Sequence, residues 1–341
     1  MTDPRNGARR AIAWEYGIVS VERRGGMLAP ALFVLPDGRQ VAPFQVAPWF
    51  SEPVAQTLSG LMPRLRGDWP CIPFGFDFDR DPFADWPRSR AADAVDEGHG
   101  FGANHDWTFA EDRLDALSLF IDYPQSHPIA RLERRIAPDP SGPAIDVELT
   151  VHPRRDCRLP IGIHPTFRLP AATGMFEIAL DSSTRIATFP GELDASAIFS
   201  PGRFAEISSV PLKRGGALDM RRIPFADNTE ELVQVLDTGG GILLRNHQEG
   251  FAVRLSWNAT DFPSFLLWLS NRGRTFEPWR GRHLALGVEP VCSAFDLGTA
   301  ISQVANPLNE RGIPTVHAFD AGKAWTTRYR FVVEALEDVR G

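Results

Sequence analysis

Three separated segments of this 341-residue chain carry side chains that can transfer a proton near neutral pH. His99 lies in a glycine-rich stretch, His164 precedes Pro165, and Glu289 precedes Pro290. An imidazole and a carboxylate can supply the acid and the base of a proton-transfer reaction, because their pKa values respond to burial and to neighbouring charges. General acid–base catalysis is therefore the first chemistry that these residue types indicate.

His99 is flanked by glycines within residues 98–107. Because glycine has no side chain, a neighbouring backbone or a ligand can approach such a segment closely, and a pocket wall is one interpretation. A loop histidine held by a local hydrogen bond is the other interpretation, and this segment taken alone favours it.

Alternating apolar and polar side chains in residues 159–169 predict a strand with two different faces. The apolar face comprises Ile161, Ile163, Phe167 and Leu169, and the polar face comprises His164, Thr166 and Arg168. Pro165 removes one donor from the ladder and restricts His164 to an extended conformation. A functional face and an ordinary solvent-exposed face are equally compatible with this pattern.

Glu289 ends an apolar strand predicted over residues 284–290 and is held extended by the proline that follows it. If its apolar neighbours are buried, desolvation raises the pKa of this carboxyl above its ordinary value of ~4.3 and makes it a stronger base. The alternative is a glutamate that emerges into water at the end of the strand.

Other chemistries lack their sequence signatures. No H-x-H or H-E-x-x-H motif occurs, so no metal site is predicted, and no G-x-S-x-G turn marks a nucleophile. The glycines at 239–241 are not followed by the Lys-Ser/Thr of a phosphate-binding loop. They predict a hairpin turn between strands at 233–236 and 242–244.

The elements that must position these residues are mainly strands. Alternation of apolar side chains predicts strands at 117–123, 145–151, 176–180, 251–257 and 329–333. Helical periodicity is confined to 52–62 and 298–305, and 29 glycines and 29 prolines are spread along the chain, as many short strands with tight turns require. The fold class is therefore all-β, a large antiparallel β-sandwich, and the lack of a visible linker predicts a single domain over residues 1–341.

Composition and charge indicate which binding partners and which cellular compartment to expect. The 36 basic and 43 acidic residues give a net charge of −7 without a basic cluster, so nucleic acid is not an expected partner. No apolar run reaches the ~18 residues of a membrane span, so no membrane partner is expected. Three widely spaced cysteines indicate neither a disulfide framework nor a zinc ribbon, and they predict a reduced, cytoplasmic protein.

Taken in order, four motifs resemble those of the galactose mutarotase-like superfamily, the aldose 1-epimerases and their hexose-6-phosphate 1-epimerase relatives. Residues 66–75 (RGDWPCIPFG) are similar to the family's R-G-G-x-P-x-x-x-P-x-x-G, and residues 98–107 (GHGFGANHDW) to its H-G-F-A-R-N-x-x-W. Residues 164–167 (HPTF) are similar to H-P-Y-F, and residues 288–290 (VEP) to the late E-P. The resemblance extends from about residue 15 to residue 335.

The resemblance implies a galactose mutarotase-like supersandwich and an enzyme that interconverts the anomers of an aldose or an aldose phosphate. It assigns the general acid to His164, the general base to Glu289 and a second, orienting role to His99. A base for the anomeric hydroxyl and an acid for the ring oxygen are sufficient, so neither a metal nor an organic cofactor is expected. The expected partner is a small-molecule sugar or sugar phosphate, bound by a monomer or a homodimer.

Substrate-binding residues are implied by the same resemblance. Arg66 matches the family's arginine, and Asp227 is the position most similar to its substrate-binding aspartate. Trp107 and Phe167 are candidates for apolar contact with a sugar ring, although a place in the core is the favoured alternative for both. His105 and Arg80 are alternative candidates to substitute for a missing polar contact.

The chain departs from the family's motifs at three positions. Ala103 replaces an arginine, Gly98 replaces the glutamine of the phosphohexose branch, and Thr166 replaces a tyrosine. These replacements keep two alternatives open. One is a noncatalytic sugar-binding or sugar-sensing protein on the same fold. The other is eliminative cleavage of a polysaccharide, for which the chain offers only three tyrosines.

Overall fold

The computed structural model of the chain describes residues 8–76, 82–83, 85–87, 97–110, 115–236 and 238–336. These residues form many short strands and two α-helices of five residues each, α1 (Gly100–Asn104) and α2 (Gly298–Ser302). Three 3-10 helices cover Pro53–Thr57, Met62–Arg64 and Asn309–Arg311. Among the described residues, no helix is both long enough and apolar enough to cross a membrane.

The strands are numbered along the chain. The first nine are β1 (Arg9–Trp14), β2 (Gly17–Glu22), β3 (Leu28–Val34), β4 (Gln40–Val41), β5 (Pro70–Cys71), β6 (Thr108–Phe109), β7 (Leu117–Asp122), β8 (Ile129–Pro138) and β9 (Ala144–Pro153). The next nine are β10 (Cys157–Leu159), β11 (Ile161–Ile163), β12 (Thr166–Arg168), β13 (Phe176–Ala179), β14 (Arg185–Thr188), β15 (Phe204–Glu206), β16 (Val210–Pro211), β17 (Ala217–Leu218) and β18 (Arg222–Ile223). The last seven are β19 (Thr229–Val235), β20 (Gly241–Asn246), β21 (Phe251–Trp257), β22 (Ser264–Asn271), β23 (Leu284–Cys292), β24 (His317–Phe319) and β25 (Trp325–Ala335).

Two large antiparallel sheets dominate the fold. The nine-stranded sheet has the order β18-β13-β20-β21-β25-β9-β8-β7-β6. The eight-stranded sheet has the order β15-β14-β19-β22-β23-β11-β5, and β12 also pairs with β23. A smaller sheet contains four strands in the order β1-β2-β3-β4. Two further sheets are the pairs β10 with β24 and β16 with β17. The predicted strands therefore exist and assemble into an antiparallel all-β fold.

The two large sheets pack face to face through aromatic side chains. Phe331 on β25 lies 6.3 Å from Phe167 on β12, measured between ring centroids, and Trp257 on β21 lies 5.4 Å from Phe265 on β22. Each pair joins one sheet to the other, and fully burying such a side chain contributes about 1.5–3 kcal/mol. The predicted β-sandwich is confirmed, whereas the single domain stays a prediction.

The middle of the eight-stranded sheet is covered on both faces. All residues of β22 are buried, as are all residues of β23 except Leu284. A nearly continuous apolar sequence is typical of strands buried on both sides. A carboxylate in such a strand, as at Glu289, is therefore carried into the interior by its neighbours.

The hairpin predicted at the glycines 239–241 is wrong. β19 pairs with β14 and β22 in the eight-stranded sheet, whereas β20 pairs with β13 and β21 in the nine-stranded sheet. The glycine run therefore carries the chain from one layer of the sandwich to the other. Every residue of β19 is buried, so its partners are set by packing on both faces and not by the nearest strand in sequence.

Three other predicted elements are present in altered form. Residues 52–62 form 3-10 turns in place of a helix of two or three turns, and the helix predicted at 298–305 is shortened to α2. The single strand predicted over 159–169 is divided among β10, β11 and β12. Pro160 and Pro165 lie at the two interruptions, because proline cannot donate to a ladder.

Candidate active site

Glu289 and His164 meet beside β23, at the gap between β11 and β12. Both short strands pair with β23 in a common register, in which the pairs flanking the gap are Gly162–Val291 and Thr166–Gly287. This register places His164 opposite Glu289, and opposite side chains of antiparallel strands lie on the same face. His164 Nε2 is 3.2 Å from Glu289 Oε1, and the residues are only 4% and 2% exposed. The alternatives that place these two side chains in water are wrong.

His164 is held between an aromatic wall and a hydroxyl group. The Trp69 ring stacks on the imidazole with a centroid separation of 4.1 Å. Burial, with a smaller contribution from His99, lowers the pKa of His164 well below its usual value. Thr166 Oγ1 lies 3.3 Å from His164 Nδ1. The same hydroxyl lies 3.5 Å from the backbone carbonyl oxygen of His164, to which it can donate, and the ring nitrogen that faces Glu289 is Nε2.

His99 is the second histidine of the site. Its ring lies edge to face against that of His164, with the centroids 5.1 Å apart. Its φ of 61° is in the left-handed region, which costs a non-glycine residue energy and is common at functional sites. The neighbouring glycines permit close packing, since a Cβ at Gly98 would lie 2.2 Å from an aromatic ring and one at Gly100 would lie 2.3 Å from the carbonyl oxygen of Ile72.

A cavity of about 640 Å³ opens beside these residues, a size typical of small-molecule sites. Its polar lining includes Glu97, His99, His164, Arg274, Glu289 and Asp296. Its apolar lining includes Leu61, Met62, Trp69, Leu193, Trp268 and Trp279. The three residues predicted to transfer or orient protons therefore share one cavity.

Solved structures share this architecture, although no protein-family model and no curated protein sequence matches the chain. A galactose mutarotase-like protein from Lactobacillus casei superposes with a TM-score of 0.61 at 14% identity, over 96% of this chain and 100% of that chain. An aldose epimerase homologue from C. elegans superposes with a TM-score of 0.63 at 10% identity, over 96% and 99%. A galactose mutarotase-like protein from Clostridium acetobutylicum gives 0.60 at 11% identity, over 96% and 95%.

The chain has the galactose mutarotase-like fold. The motifs of the sequence therefore pointed to the correct architecture. Within this galactose mutarotase-like sandwich, His99, His164 and Glu289 come together as expected, but the predicted substrate-binding residues do not.

Arg66 lies in the interior and not in the lining of the cavity. Its Nη1 is 3.1 Å from Glu22 Oε1, and its guanidinium lies 3.8 Å from the centre of the Phe50 ring. Burial lowers the pKa of Arg66 to about 10, partly opposed by the charge of Glu22. Because Glu22 already compensates its charge, the geometry gives Arg66 a structural role in place of the predicted sugar contact.

Trp107 and Phe167 belong to the apolar core, which was the favoured alternative for both. Trp107 is fully buried and donates from Nε1 to the carbonyl oxygen of Gly102 at 2.8 Å. Phe167 stacks on Phe44 with the ring centroids 5.4 Å apart. Neither residue is part of the cavity lining, and both belong to the main apolar core.

His105 and Asp227 also lie outside the lining of the cavity. His105 is partly exposed, and its Nε2 is 2.6 Å from Oε1 of the cavity residue Glu97. Arg80, the alternative candidate to His105, lies outside the residues that the structure describes. Asp227 is exposed, and its backbone carbonyl accepts a hydrogen bond from Asn271 Nδ2 at 2.7 Å. The turn before β19 directs Asp227 toward solvent, so the motif alignment at this position does not identify a cavity residue.

The cavity contains residues that the sequence analysis did not single out. Asp296 is 7% exposed and lines the cavity, and Trp69 and Trp268 contribute aromatic walls. A signal for Asp296 was present, because the apolar run over residues 284–297 contains only two acidic residues, Glu289 and Asp296. Trp69 lies within the quoted RGDWPC motif, but nothing in the motif distinguishes a cavity tryptophan from a core tryptophan.

Among the described residues that line the cavity, Arg274 is the one arginine, and no lysine is present there. Its Nε is 3.5 Å from Glu230 Oε2, and its guanidinium lies 4.6 Å from the centre of the Trp279 ring. Burial raises the pKa of Glu230, opposed chiefly by the charge of Arg274, and Ser270 Oγ donates to this carboxylate at 2.6 Å. The charge of Arg274 is thus balanced within the protein.

In the part of the chain that the structure describes, no group of three or more His, Cys, Asp or Glu side chains is arranged to hold a metal ion. The chemistry that the arrangement supports is proton transfer between the buried imidazole and carboxylate and a ligand in the cavity.

Proposed function

We propose that the protein is a carbohydrate isomerase, an aldose 1-epimerase-like enzyme that interconverts the anomers of an aldose. The observation that carries this proposal is the 3.2 Å contact between His164 and Glu289 in a cavity that His99 also lines. The structural neighbours described as galactose mutarotase-like and as an aldose epimerase homologue support the same reaction class. Because one fold can host several activities, the proposal rests on the paired acid and base.

In the proposed reaction, Glu289 removes the proton of the anomeric hydroxyl while His164 protonates the ring oxygen. The bond between C1 and the ring oxygen breaks, and the bond between C1 and its former hydroxyl oxygen becomes a carbonyl. Rotation about C1–C2 then presents the other face of this carbonyl to the C5 hydroxyl. The reverse proton transfers close the ring as the other anomer and return both groups to their starting states.

His164 and Glu289 are close enough to titrate as a coupled pair. Burial disfavours a positive charge on the imidazole, whereas an ionised carboxylate beside it favours one. A single proton shared by the pair is sufficient, because one group then donates and the other accepts. We expect the rate to fall at low pH, where both groups hold protons, and at high pH, where neither does.

His99 and Asp296 are the proposed positioning groups for the sugar. An ionised carboxylate only accepts hydrogen bonds, which suits the hydroxyl donors of a sugar, and Asp296 thus takes the role that the motif alignment gave to Asp227. The rings of Phe74 and Phe76 pack edge to face against the His99 imidazole, with centroid separations of 5.2 and 4.6 Å, and so hold it beside His164 before a ligand arrives.

The test follows the equilibration of a pure anomer of glucose, galactose or a hexose 6-phosphate by polarimetry or NMR, with the uncatalysed rate subtracted. We expect acceleration of at least one sugar and a loss of about 10²–10⁴-fold in Glu289→Gln. Glu334→Gln, at a half-exposed glutamate that faces Arg254, is the control and should keep the wild-type rate. Equal rates for wild type and Glu289→Gln with every sugar would contradict the proposal.

A noncatalytic sugar-binding protein is the second candidate. It is favoured by the lowered pKa of the buried His164, because burial reduces the fraction of the imidazole that carries the proton needed for the acid role. Calorimetry that detects sugar binding to a protein without anomer exchange would support this candidate. The cytoplasmic location and the monomeric or homodimeric state remain predictions.

A further inference from the structure

Several aliphatic side chains line the cavity, although an unsubstituted sugar offers mainly hydroxyl groups to its binding site. Leu61, Met62 and Leu193 line the cavity and are only partly buried, and they come from two separate connecting segments. Leu65 and Leu232, which are both buried, also line the cavity. Partly exposed aliphatic side chains that converge on a cavity favour a ligand that covers them with apolar surface.

The charges of the lining disfavour an anionic ligand. Among the residues that the structure describes, three carboxylates, Glu97, Glu289 and Asp296, line the cavity with one guanidinium, that of Arg274. Arg274 is already paired with the buried Glu230, so its charge is not available in full to a ligand. A phosphate group would enter a site of the same sign as its own charge, and charges of one sign placed close together at low dielectric repel strongly.

The size of the cavity exceeds that of one sugar ring. Its volume of about 640 Å³ is in the middle of the range for ligands considerably larger than a monosaccharide, roughly 300–1,000 Å³. Leu232 on β19 is two strands, or about 10 Å, away from Glu289 on β23, so a sugar with its anomeric carbon at His164 and Glu289 reaches this part of the aliphatic lining with atoms remote from that carbon.

We infer that the preferred ligand is an uncharged aldose with an apolar substituent on the carbon farthest from the anomeric centre, as in a deoxy, ether or ester derivative. This inference rests on the proposed function for the position of the anomeric carbon. The substituent packs against Leu61, Met62 and Leu193, and sugar phosphates are poor ligands of the same cavity.

Equilibrium binding tests the order of ligands independently of catalysis. Tryptophan fluorescence reports occupancy, because Trp69, Trp268 and Trp279 line the cavity. The probes are glucose, 6-deoxyglucose, 6-O-butylglucose and glucose 6-phosphate, with the corresponding galactose series. A fully buried methylene strengthens binding about fourfold, so we expect the butyl ether to bind at least about tenfold more tightly than the parent sugar. The 6-phosphate should bind more weakly than the parent.

A substitution among the aliphatic lining residues tests whether they produce the preference for the butyl ether. Leu193→Asn should abolish most of the preference for the butyl ether over the parent sugar, measured as the ratio of the two affinities in the same variant. Val304→Asn, at an exposed apolar residue outside the cavity lining, should change neither. Thermal unfolding of both variants verifies that they are folded.

The outcomes separate this inference from the proposed function. Tighter binding of the 6-phosphate, or equal binding of butylated and parent sugars, overturns the inference even if anomers are interconverted. The expected order of binding without any anomer exchange supports the inference and overturns the proposed function. A preference for the butyl ether that survives Leu193→Asn places the apolar contact elsewhere and overturns the assignment to the aliphatic lining residues.

Discussion

Two clusters of buried ionisable side chains lie next to each other in the fold and differ in what surrounds them. In the first, Tyr329 Oη donates to Asp68 Oδ2 at 2.7 Å, and Arg134 Nη2 contacts both the same carboxylate and the tyrosine hydroxyl. Burial raises the pKa of Asp68, and the charge of Arg134 opposes that rise. All three side chains are enclosed by protein.

The second cluster is the pair of His164 and Glu289, which is equally buried but faces a cavity. Asp68 directly precedes Trp69, the ring that stacks on His164, so the first cluster also fixes one wall of the second. An enclosed ion pair loses a great deal when one partner is removed, whereas a pair with one open side can exchange protons with a ligand. Both clusters are buried, so what distinguishes the structural cluster from the proposed catalytic pair is that only the pair lines the cavity of the candidate active site.

Removing the cation of the first cluster is expected to have the largest effect. Arg134→Met leaves the Asp68 carboxylate buried without its charge partner and should lower the free energy of unfolding by about 3–5 kcal/mol. Urea unfolding monitored by tryptophan fluorescence measures this loss. Arg131→Met, on the same strand but partly exposed and paired with Asp122, is the control, with a change of no more than about 1 kcal/mol. Similar losses in both variants would remove the contrast between the clusters.

A substitution in the second cluster should lower the catalytic rate much more than the free energy of unfolding. We expect His164→Asn to lower the enzyme-dependent rate of anomerisation about 10²-fold or more, because the acid is lost. Its free energy of unfolding should fall by much less than that of Arg134→Met. His247→Asn, at a partly exposed histidine paired with Glu177, is the control for the rate. A fully active His164→Asn enzyme would exclude the proposed acid.

Glu231 extends the contrast to a buried carboxylate whose hydrogen-bond donors are neutral. The backbone N–H groups of Ile198 and Phe199 donate to it at 2.6 and 3.3 Å, and the Thr229 hydroxyl contacts it. Burial raises the pKa of Glu231 to about 7, only partly opposed by these donors. Because the pKa in the folded state lies above that of the unfolded chain, the stabilising contribution is complete at low pH and is lost as the pH rises through about 7.

The pH dependence of unfolding tests this assignment. Between about pH 5 and pH 8, wild type should lose on the order of 2 kcal/mol of unfolding free energy relative to Glu231→Gln. Urea unfolding at the two pH values gives this difference, and Glu334→Gln should retain the wild-type dependence. Parallel pH profiles for wild type and Glu231→Gln would show that the carboxyl titrates near its ordinary value.

The smallest effect is expected at the residue that joins the two clusters. Trp69→Phe keeps a ring against His164 but reduces the stacked area, which should cost about 0.5–1.5 kcal/mol. Expressed in kcat/KM, this is a loss of roughly two- to tenfold. Trp14→Phe, at the partly exposed end of β1, is the control. A loss as large as that of His164→Asn would mean that Trp69 does more than support the imidazole.

Local pattern was sufficient for most of the strands, whereas it left the roles of His99, His164 and Glu289 open, and only the resemblance of the motifs implied those roles. The alternation in 145–151 and 251–257 matches β9 and β21, because a period of two is a property of neighbouring residues in an extended chain. His99, His164 and Glu289 stood out by residue type and by their glycine or proline neighbours. Motif order also indicated the galactose mutarotase-like architecture.

Only the tertiary structure decided which strands pair and which side chains reach the cavity. β19 and β20 are close in sequence but belong to different sheets, and Arg66, Trp107 and Phe167 are turned into the interior by partners far away in the chain. The contact between His164 and Glu289 depends on a register that β23 shares with two other strands. Such choices depend on packing across sheets, and a local alternation of side chains holds no information about which distant surface will cover each face.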